Sequence, residues 1–209
     1  QINRKIFIYL FIFFILGTFT NKRFLNFSFP KIDNYEIIGL GKDKNNQISQ
    51  DLFDLHNQNL FLLKKDKISK IINSNEVIER FSAFKNYPSN LNVVIEKTKF
   101  LALTQKDGLD FFIGSNGNLI ETKNNKVDLP FVFGNIDISE FLKLIKIIDD
   151  SSFNYTEIKN LYYFKSRRWD IETKDNLLIK LPIKKLETSF ELLKKIYEKE
   201  ELKNFKIID

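Results

Sequence analysis

The sequence predicts an α+β fold that follows a single apolar helix at the N-terminus. Residues 6–20 carry no charged side chain. From Pro30 onward, short runs rich in β-branched and aromatic residues alternate with segments whose apolar residues recur every three or four positions, as in an amphipathic helix. No low-complexity linker or internal repeat interrupts this alternation, so we expect strands and helices mixed along the chain.

The uncharged segment IFIYLFIFFILGTFT, residues 6–20, predicts a transmembrane helix. As a helix it would be roughly 22 Å long, which is short of the ~30 Å hydrocarbon core, but basic flanks at Arg4–Lys5 and Lys22–Arg23 can snorkel to the interface. A cleaved signal peptide would need a small-x-small site, which the sequence after Gly17 does not offer. A buried helix of a soluble domain would show a polar face, which is missing. Charge does not set the orientation, because both flanks are basic.

The next part of the chain predicts the order strand, helix, helix, strand, strand. Ser49 is the expected N-cap of a helix that buries Leu52, Phe53 and Leu55, and Asp66 is the expected N-cap of the second helix. The predicted strands are Tyr35–Ile38, Val77–Tyr87 and Leu91–Glu96, the last two joined by a turn at Pro88-Ser89-Asn90.

The second half predicts more strands and two further helices. Asp137 and Glu140 resemble a capping box, and the apolar spacing that follows indicates a core-facing helix. The predicted strands are Leu101–Thr104, Phe111–Ile113, Leu119–Glu121, Ile158–Phe164, Trp169–Thr173, Leu177–Leu181 and Phe205–Ile208, with a helix burying Leu186, Phe190, Leu193 and Tyr197 before the last.

Composition limits the classes of function. With 209 residues there is room for two small domains behind the apolar segment. The absence of cysteine excludes disulfides, thiolate metal sites and cysteine nucleophiles. The net charge of +6 comes mainly from lysines scattered among Asn, Ile and Phe, so we expect no nucleic-acid partner. The missing first methionine and the strand-like final residues predict a chain trimmed at both ends.

No group of residues predicts catalysis, a cofactor or a metal site. His56 has no set of partners for metal or base chemistry. The neighbouring carboxylates Asp149–Asp150 and Glu200–Glu201 point apart and do not form an acid/base pair. No phosphate-binding Gly-rich loop or nucleophile elbow is present, so we predict a protein that is not an enzyme and takes no small-molecule substrate.

Several short motifs follow one another in a definite order along the chain. They are Tyr87-Pro88-Ser89-Asn90-Leu91-Asn92-Val93-Val94-Ile95-Glu96, Gly117, Leu119-Ile120, Leu129-Pro130, Gly134, Arg167-Arg168-Trp169-Asp170, Leu181-Pro182 and Ile207-Ile208-Asp209. None of these motifs is specific alone, but their order and spacing resemble the FtsQ/DivIB family of bacterial cell-division proteins over nearly the whole chain. The Arg-Arg-Trp-Asp string and the final Ile-Ile-Asp look especially like alphaproteobacterial members of that family, and this chain would be a fragment of such a protein.

The resemblance implies three segments and a location. Residues 1–22 would be the N-terminal tail and transmembrane helix, 29–97 a POTRA domain of β-α-α-β-β order, and 98–209 a β-rich domain with two flanking helices, truncated at its C-terminus. The protein would be a single-pass inner-membrane protein with its bulk in the periplasm at the division septum. It would recruit the division proteins FtsB and FtsL as a scaffold for septum assembly.

The expected partner-binding residues are Phe205, Lys206, Ile207 and Ile208, because a strand at a sheet edge can be completed by a partner strand. Alternatively, these residues pair within the domain and belong to its core. Arg167, Arg168 and Trp169 could form a binding hot spot, but we expect Trp169 to pack inward and one arginine to pair with Asp170 or Glu172.

Two other functions remain open at the level of sequence. A POTRA-bearing protein of outer-membrane assembly or secretion would share the first domain, although no series of alternating barrel strands follows it. A membrane-anchored periplasmic enzyme would need convergent polar residues in a cleft, and the sequence indicates none.

Overall fold

The computed structural model describes residues 2–19, 30–123, 127–151, 153–197 and 206–209. It confirms the predicted α+β class, with a three-stranded and an eight-stranded sheet. The chain divides into two compact units, Gln1–Ile71 with Ser82–Val94 and Ile72–Phe81 with Ile95–Asp209.

Helix α1, Ile2–Phe19, holds most of the uncharged segment. The apolar side chains from Ile6 to Leu16 are exposed, with Phe7 at 75% and Phe13 at 73%. Thr20, the last residue of the predicted span, lies outside the described residues. Among the described residues, no helix combines the length and the apolar character required to cross a membrane.

The three-stranded sheet has the order β1-β3-β2, so the last strand in sequence is central. Strand β1 pairs in parallel with β3, from Asn34 opposite Asn90 to Ile38 opposite Val94. The elements follow the predicted order strand, helix, helix, strand, strand. They are β1 (Asn34–Ile38), α2 (Lys42–Asp51), a 3-10 turn (Leu52–Leu55), α3 (Lys65–Ile72), β2 (Ile78–Asn86) and β3 (Asn90–Lys97).

The predicted start of the first helix of this segment was wrong. The N-cap of helix α2 is Gly41, eight residues before the expected cap, and Ser49 lies inside the helix. Leu52 to Leu55 form a 3-10 turn, in which residues three apart lie on the same side. Leu52 and Leu55 are therefore buried, while Phe53, predicted to be buried, is 63% exposed.

The eight-stranded sheet has the order β11-β10-β9-β8-β7-β4-β5-β6. Its strands are β4 (Phe100–Lys106), β5 (Leu109–Gly114), β6 (Leu119–Glu121), β7 (Phe131–Phe133), β8 (Ile158–Tyr163), β9 (Trp169–Thr173), β10 (Leu178–Lys180) and β11 (Ile207–Ile208). Strand β7 was not predicted from the sequence, because its three residues show no clear period and, unlike those of the equally short β6, do not follow a predicted turn. It nevertheless lies near the middle of the sheet, paired in parallel with both β4 and β8.

Helices α4 (Ile138–Asp150) and α5 (Leu186–Tyr197) pack with one face of this sheet to form the core of the second unit. Phe141, Trp169 and Phe190 are at most 2% exposed. A buried aromatic side chain removes roughly 150–250 Å² from water, or about 4–6 kcal/mol of gross transfer free energy at ~25 cal/mol per Å². This burial confirms the predicted inward-facing stripe of both helices, although the side chain of Tyr197 lies outside the described residues.

The predicted cap of α4 is confirmed. The Asp137 carboxylate accepts hydrogen bonds from the backbone N–H of Ser139 at 2.9 Å and from its hydroxyl at 2.7 Å. These two hydrogen bonds hold the pKa of Asp137 below its usual range. A stabilised carboxylate at this position also suits the positive end of the helix dipole.

A polar cluster joins the turn between β5 and β6 to the start of β2, within the second unit. The Asn116 amide nitrogen donates to the carbonyl oxygens of Glu76 and Ile78, each at 2.9 Å. The Ser115 hydroxyl donates to Glu79 at 2.8 Å, so the hydroxyl of Thr98, 3.1 Å away, must donate to Ser115. The backbone N–H of Asn116 donates to Thr98 in turn. These linked hydrogen bonds give partners to polar groups of the turn that strand pairing alone would leave without one.

Gly134, which follows β7, generates a first test of the fold. Its φ is +110°, and a Cβ there would overlap the backbone carbonyl oxygen of Tyr163. We expect Gly134→Ala to lower the free energy of unfolding by more than about 3 kcal/mol, since backbone atoms on a paired strand cannot move aside cheaply. Urea denaturation followed by circular dichroism measures this change.

Gly108→Ala is the matched control for this substitution. Gly108 also has a positive φ, +80°, but a Cβ there meets nothing within 4 Å. We expect it to cost only the conformational term of about 1–2 kcal/mol. Equal destabilisation by the two substitutions would show that the contact with β8 is not the constraint at Gly134.

Candidate functional site

Strand β11 forms one edge of the eight-stranded sheet, at the position predicted for partner binding. It pairs in parallel with β10, Ile207 opposite Leu178 and Ile208 opposite Ile179. Among the described residues, no strand lies beyond it. The structure therefore brings Lys206, Ile207 and Ile208 to the edge, while Phe205 lies outside the described residues.

The backbone of Ile207 faces away from the sheet. The N–H of Leu178 donates to the carbonyl of Lys206 at 3.0 Å, so the hydrogen-bonding groups of Lys206 face β10. Successive residues of a strand direct these groups to opposite sides, so those of Ile208 also face β10 and those of Ile207 face outward. The outward N–H and C=O of Ile207 are what a further strand could pair with.

The side chains of β11 also alternate between the core and the surface. Ile208 packs against the hydrophobic core, whereas Ile207 is 54% exposed. Ile208 thus follows the alternative in which these residues pair within the domain, and partner binding at Ile207 stays a prediction. Asp209 ends the strand with an ion pair to Lys180 at 3.1 Å.

A groove of about 360 Å³ adjoins this edge. Its apolar lining comes from Ile179, Leu181, Pro182, Leu192, Leu193 and Ile208. Its polar lining comes from Arg168, Lys180, Ser189 and Asp209. Leu192 is 54% exposed and adds apolar surface to the lining of the groove. Sequence reasoning missed the groove, although Leu192 stands out as an apolar residue off the core-facing stripe of α5.

The Arg-Arg-Trp-Asp segment serves the fold as expected. Trp169 is 2% exposed and lies 4.6 Å from the ring centre of Tyr163. Arg168 binds the buried carboxylate of Asp170 through two hydrogen bonds of 2.9 and 3.1 Å, and its guanidinium lies 4.7 Å from the ring centre of Phe164. Arg167 occupies the preceding turn with φ +66°. This pairing confirms the prediction for Trp169 and Arg168.

A carboxylate on the sheet face opposite the helices is strongly stabilised. Glu172 accepts hydrogen bonds from Tyr162 at 2.6 Å, Asn160 at 2.9 Å and Lys159 at 3.0 Å. These donors, with that of Asn160 contributing most, lower the pKa of Glu172 from its ordinary 4.5 to about 2. The hydrogen bond that the Tyr162 hydroxyl donates to Glu172 raises the pKa of Tyr162. Such an ionised, fully bonded carboxylate stabilises the sheet and has no proton to exchange near neutral pH.

The remaining sequence candidates do not come together. His56 stacks on Phe53 with 5.1 Å between ring centres. Asp149 and Asp150 are exposed at the end of α4, and Glu200 and Glu201 lie outside the described residues. Within the described ranges, no three His, Cys, Asp or Glu side chains are grouped as metal ligands would be.

Comparison with known proteins gives one family. Residues 102–209 match the family model described as cell division protein FtsQ/DivIB, C-terminal. Among solved structures, the chain is similar to the major extracytoplasmic domain of the trans isomer of the bacterial cell division protein DivIB from Geobacillus stearothermophilus. That similarity has 15% identity and a TM-score of 0.38, and covers 52% of this chain and 98% of that chain. No curated protein sequence matches the chain.

Glu172 generates a prediction on pH. Because its pKa in the folded protein lies below its ordinary value, ionised Glu172 stabilises the fold above about pH 4.5 and that stabilisation is lost as the pH falls towards 2. We expect Glu172→Gln to show a smaller loss of unfolding free energy than the wild type between about pH 6 and about pH 3. Urea denaturation at both pH values measures it. Glu121→Gln, at an exposed position, should keep the wild-type dependence; identical behaviour of all three proteins would contradict the prediction.

Proposed function

This chain belongs to the FtsQ/DivIB family of cell division proteins, and we propose that it acts there as a scaffold without enzymatic activity. It recruits the division proteins FtsB and FtsL to the septum through its C-terminal sheet edge. The observation that carries the proposal is the outward-facing backbone of Ile207 on an edge strand, beside an apolar groove.

Recruitment by strand addition needs no chemistry beyond hydrogen bonding and burial. A partner strand placed beside β11 pairs with the N–H and C=O of Ile207, and each such bond contributes about 0.5–1.5 kcal/mol. The groove beside Ile208 and Leu192 takes alternate apolar side chains of the same strand. Backbone pairing then gives affinity and the groove gives specificity.

The rest of the chain comprises two further parts in this proposal, a POTRA domain and a membrane anchor. We assign residues 29–97 to a POTRA domain, which the order of elements and the β1-β3-β2 sheet support, and residues 98–209 to the β-rich domain. Residues 6–20 anchor the protein in the inner membrane as a single span, and the bulk of the chain lies in the periplasm. The exposed apolar surface of α1 and the basic residues on both sides of the uncharged segment support the anchor.

The anchor is tested by a charge in the middle of the uncharged segment. Phe11→Lys should release the protein from membranes, because a lysine at the centre of a span costs about 2.5–3.5 kcal/mol. The measurement is the fraction of the protein that stays in the membrane pellet after carbonate extraction. Phe53→Lys, at another exposed phenylalanine, is the control and should stay with the membrane. Wild-type protein in the soluble fraction would refute the anchor.

The edge is tested at Ile207. Ile207→Pro removes the outward N–H and should weaken binding to the FtsB/FtsL pair of the same genome at least about tenfold, or ~1.4 kcal/mol. Ile207→Val keeps the N–H and a β-branched side chain, and should bind like the wild type. Biolayer interferometry measures the affinities, and thermal unfolding checks that all three proteins are folded. Unchanged binding by a folded Ile207→Pro protein would exclude strand addition, and no binding by folded wild type would refute recruitment itself.

A further inference from the structure

Another groove of the second unit lies between helices α4 and α5, and it shares no lining residue with the groove at the C-terminal edge. It has a volume of about 630 Å³. Ile147 of α4 and Phe190 of α5 supply its apolar lining. Phe190 is 1% exposed and Ile147 is partly buried against the core, so the two form the floor of the groove.

Charged side chains surround this floor, and the negative ones outnumber the positive ones. Asp150 comes from α4, and Glu187 and Glu191 from α5; the lysines on the lining are Lys143 and Lys146. Lys143 is already bound to Glu140 at 2.9 Å. Within the ranges that the structure describes, none of the other four forms an ion pair. Three carboxylates therefore face one ammonium group across an apolar floor.

The position of Asp150 is not explained by the stability of its own helix. It lies in the last turn of α4, where the helix dipole is negative and no basic residue compensates it. Glu187, in contrast, suits the first turn of α5. A carboxylate at the unfavourable end of one helix, beside two from the other helix, gives the groove a negative potential that a basic occupant would neutralise.

We infer that the α4–α5 groove binds a basic segment of a partner protein that carries apolar side chains between its lysines or arginines. The apolar side chains rest on Ile147 and Phe190, and the basic ones pair with Asp150, Glu187 and Glu191. The groove is a second interaction surface, distinct from strand addition at β11.

A peptide probe tests this inference on the full chain in zwitterionic detergent. The probe is a fluorescent peptide of about twelve residues with two adjacent leucines between pairs of arginines, and its counterpart has glutamates in place of the arginines. The chain has a net charge of +6, so long-range attraction favours the acidic peptide. Tighter binding of the basic peptide by fluorescence anisotropy, over empty micelles, therefore requires a local acidic site.

Matched variants locate that site. We expect Glu187→Gln combined with Glu191→Gln to weaken binding of the basic peptide at least about fivefold, and salt to weaken it further. Asp107→Asn combined with Glu121→Gln removes two exposed carboxylates elsewhere and should change it less than about twofold. Ile207→Pro should bind the peptide like the wild type, which separates this groove from the C-terminal edge. Equal binding of both peptides, no binding of the basic peptide, or no effect of the groove variant would overturn the inference.

Discussion

Burial of one face of the eight-stranded sheet against α4 and α5 is the contact on which the second unit depends. The sheet joins strands from positions far apart in the sequence, and Phe141, Trp169 and Phe190 are the largest fully buried side chains of the core beneath it. Because these large side chains are almost completely buried, a shift of either helix would open a cavity at a cost in stability. The position of α5, and with it the groove beside β11, is fixed by this packing.

The edge strand β11 is only half engaged within the fold. A long, flat edge would invite nonspecific pairing, whereas β11 has two residues, one of which packs into the core. Ile208 holds the strand in register and Ile207 presents backbone groups outward. A protein can thus offer a specific strand-addition site without exposing a surface that aggregates, provided that a neighbouring pocket selects the partner.

Charge plays a different role at each surface. On the sheet face, Glu172 and Asp170 are bound by donors within the fold and are structural. On the α4–α5 groove, Asp150, Glu187 and Glu191 have no such partners among the described residues. The distinction follows from geometry. Glu172 bonds to neighbours on the adjacent strand, about 5 Å apart, and Asp170 to Arg168 two residues earlier. The charged side chains on the two helices lie on opposite sides of the groove.

The sequence by itself determined the α+β class, the order of most elements, the inward side of α4 and α5, the cap at Asp137 and the family, because these follow from local periodicity, capping chemistry and motif order. It could not give β7, whose three residues show no clear period and follow no predicted turn, or the exposure of Phe53, which depends on a 3-10 turn instead of an α-helix. Only the tertiary structure decided which isoleucine of β11 faces outward and which residues line the two grooves. Strand pairing and helix packing join positions whose separation in sequence carries no information on their distance in space.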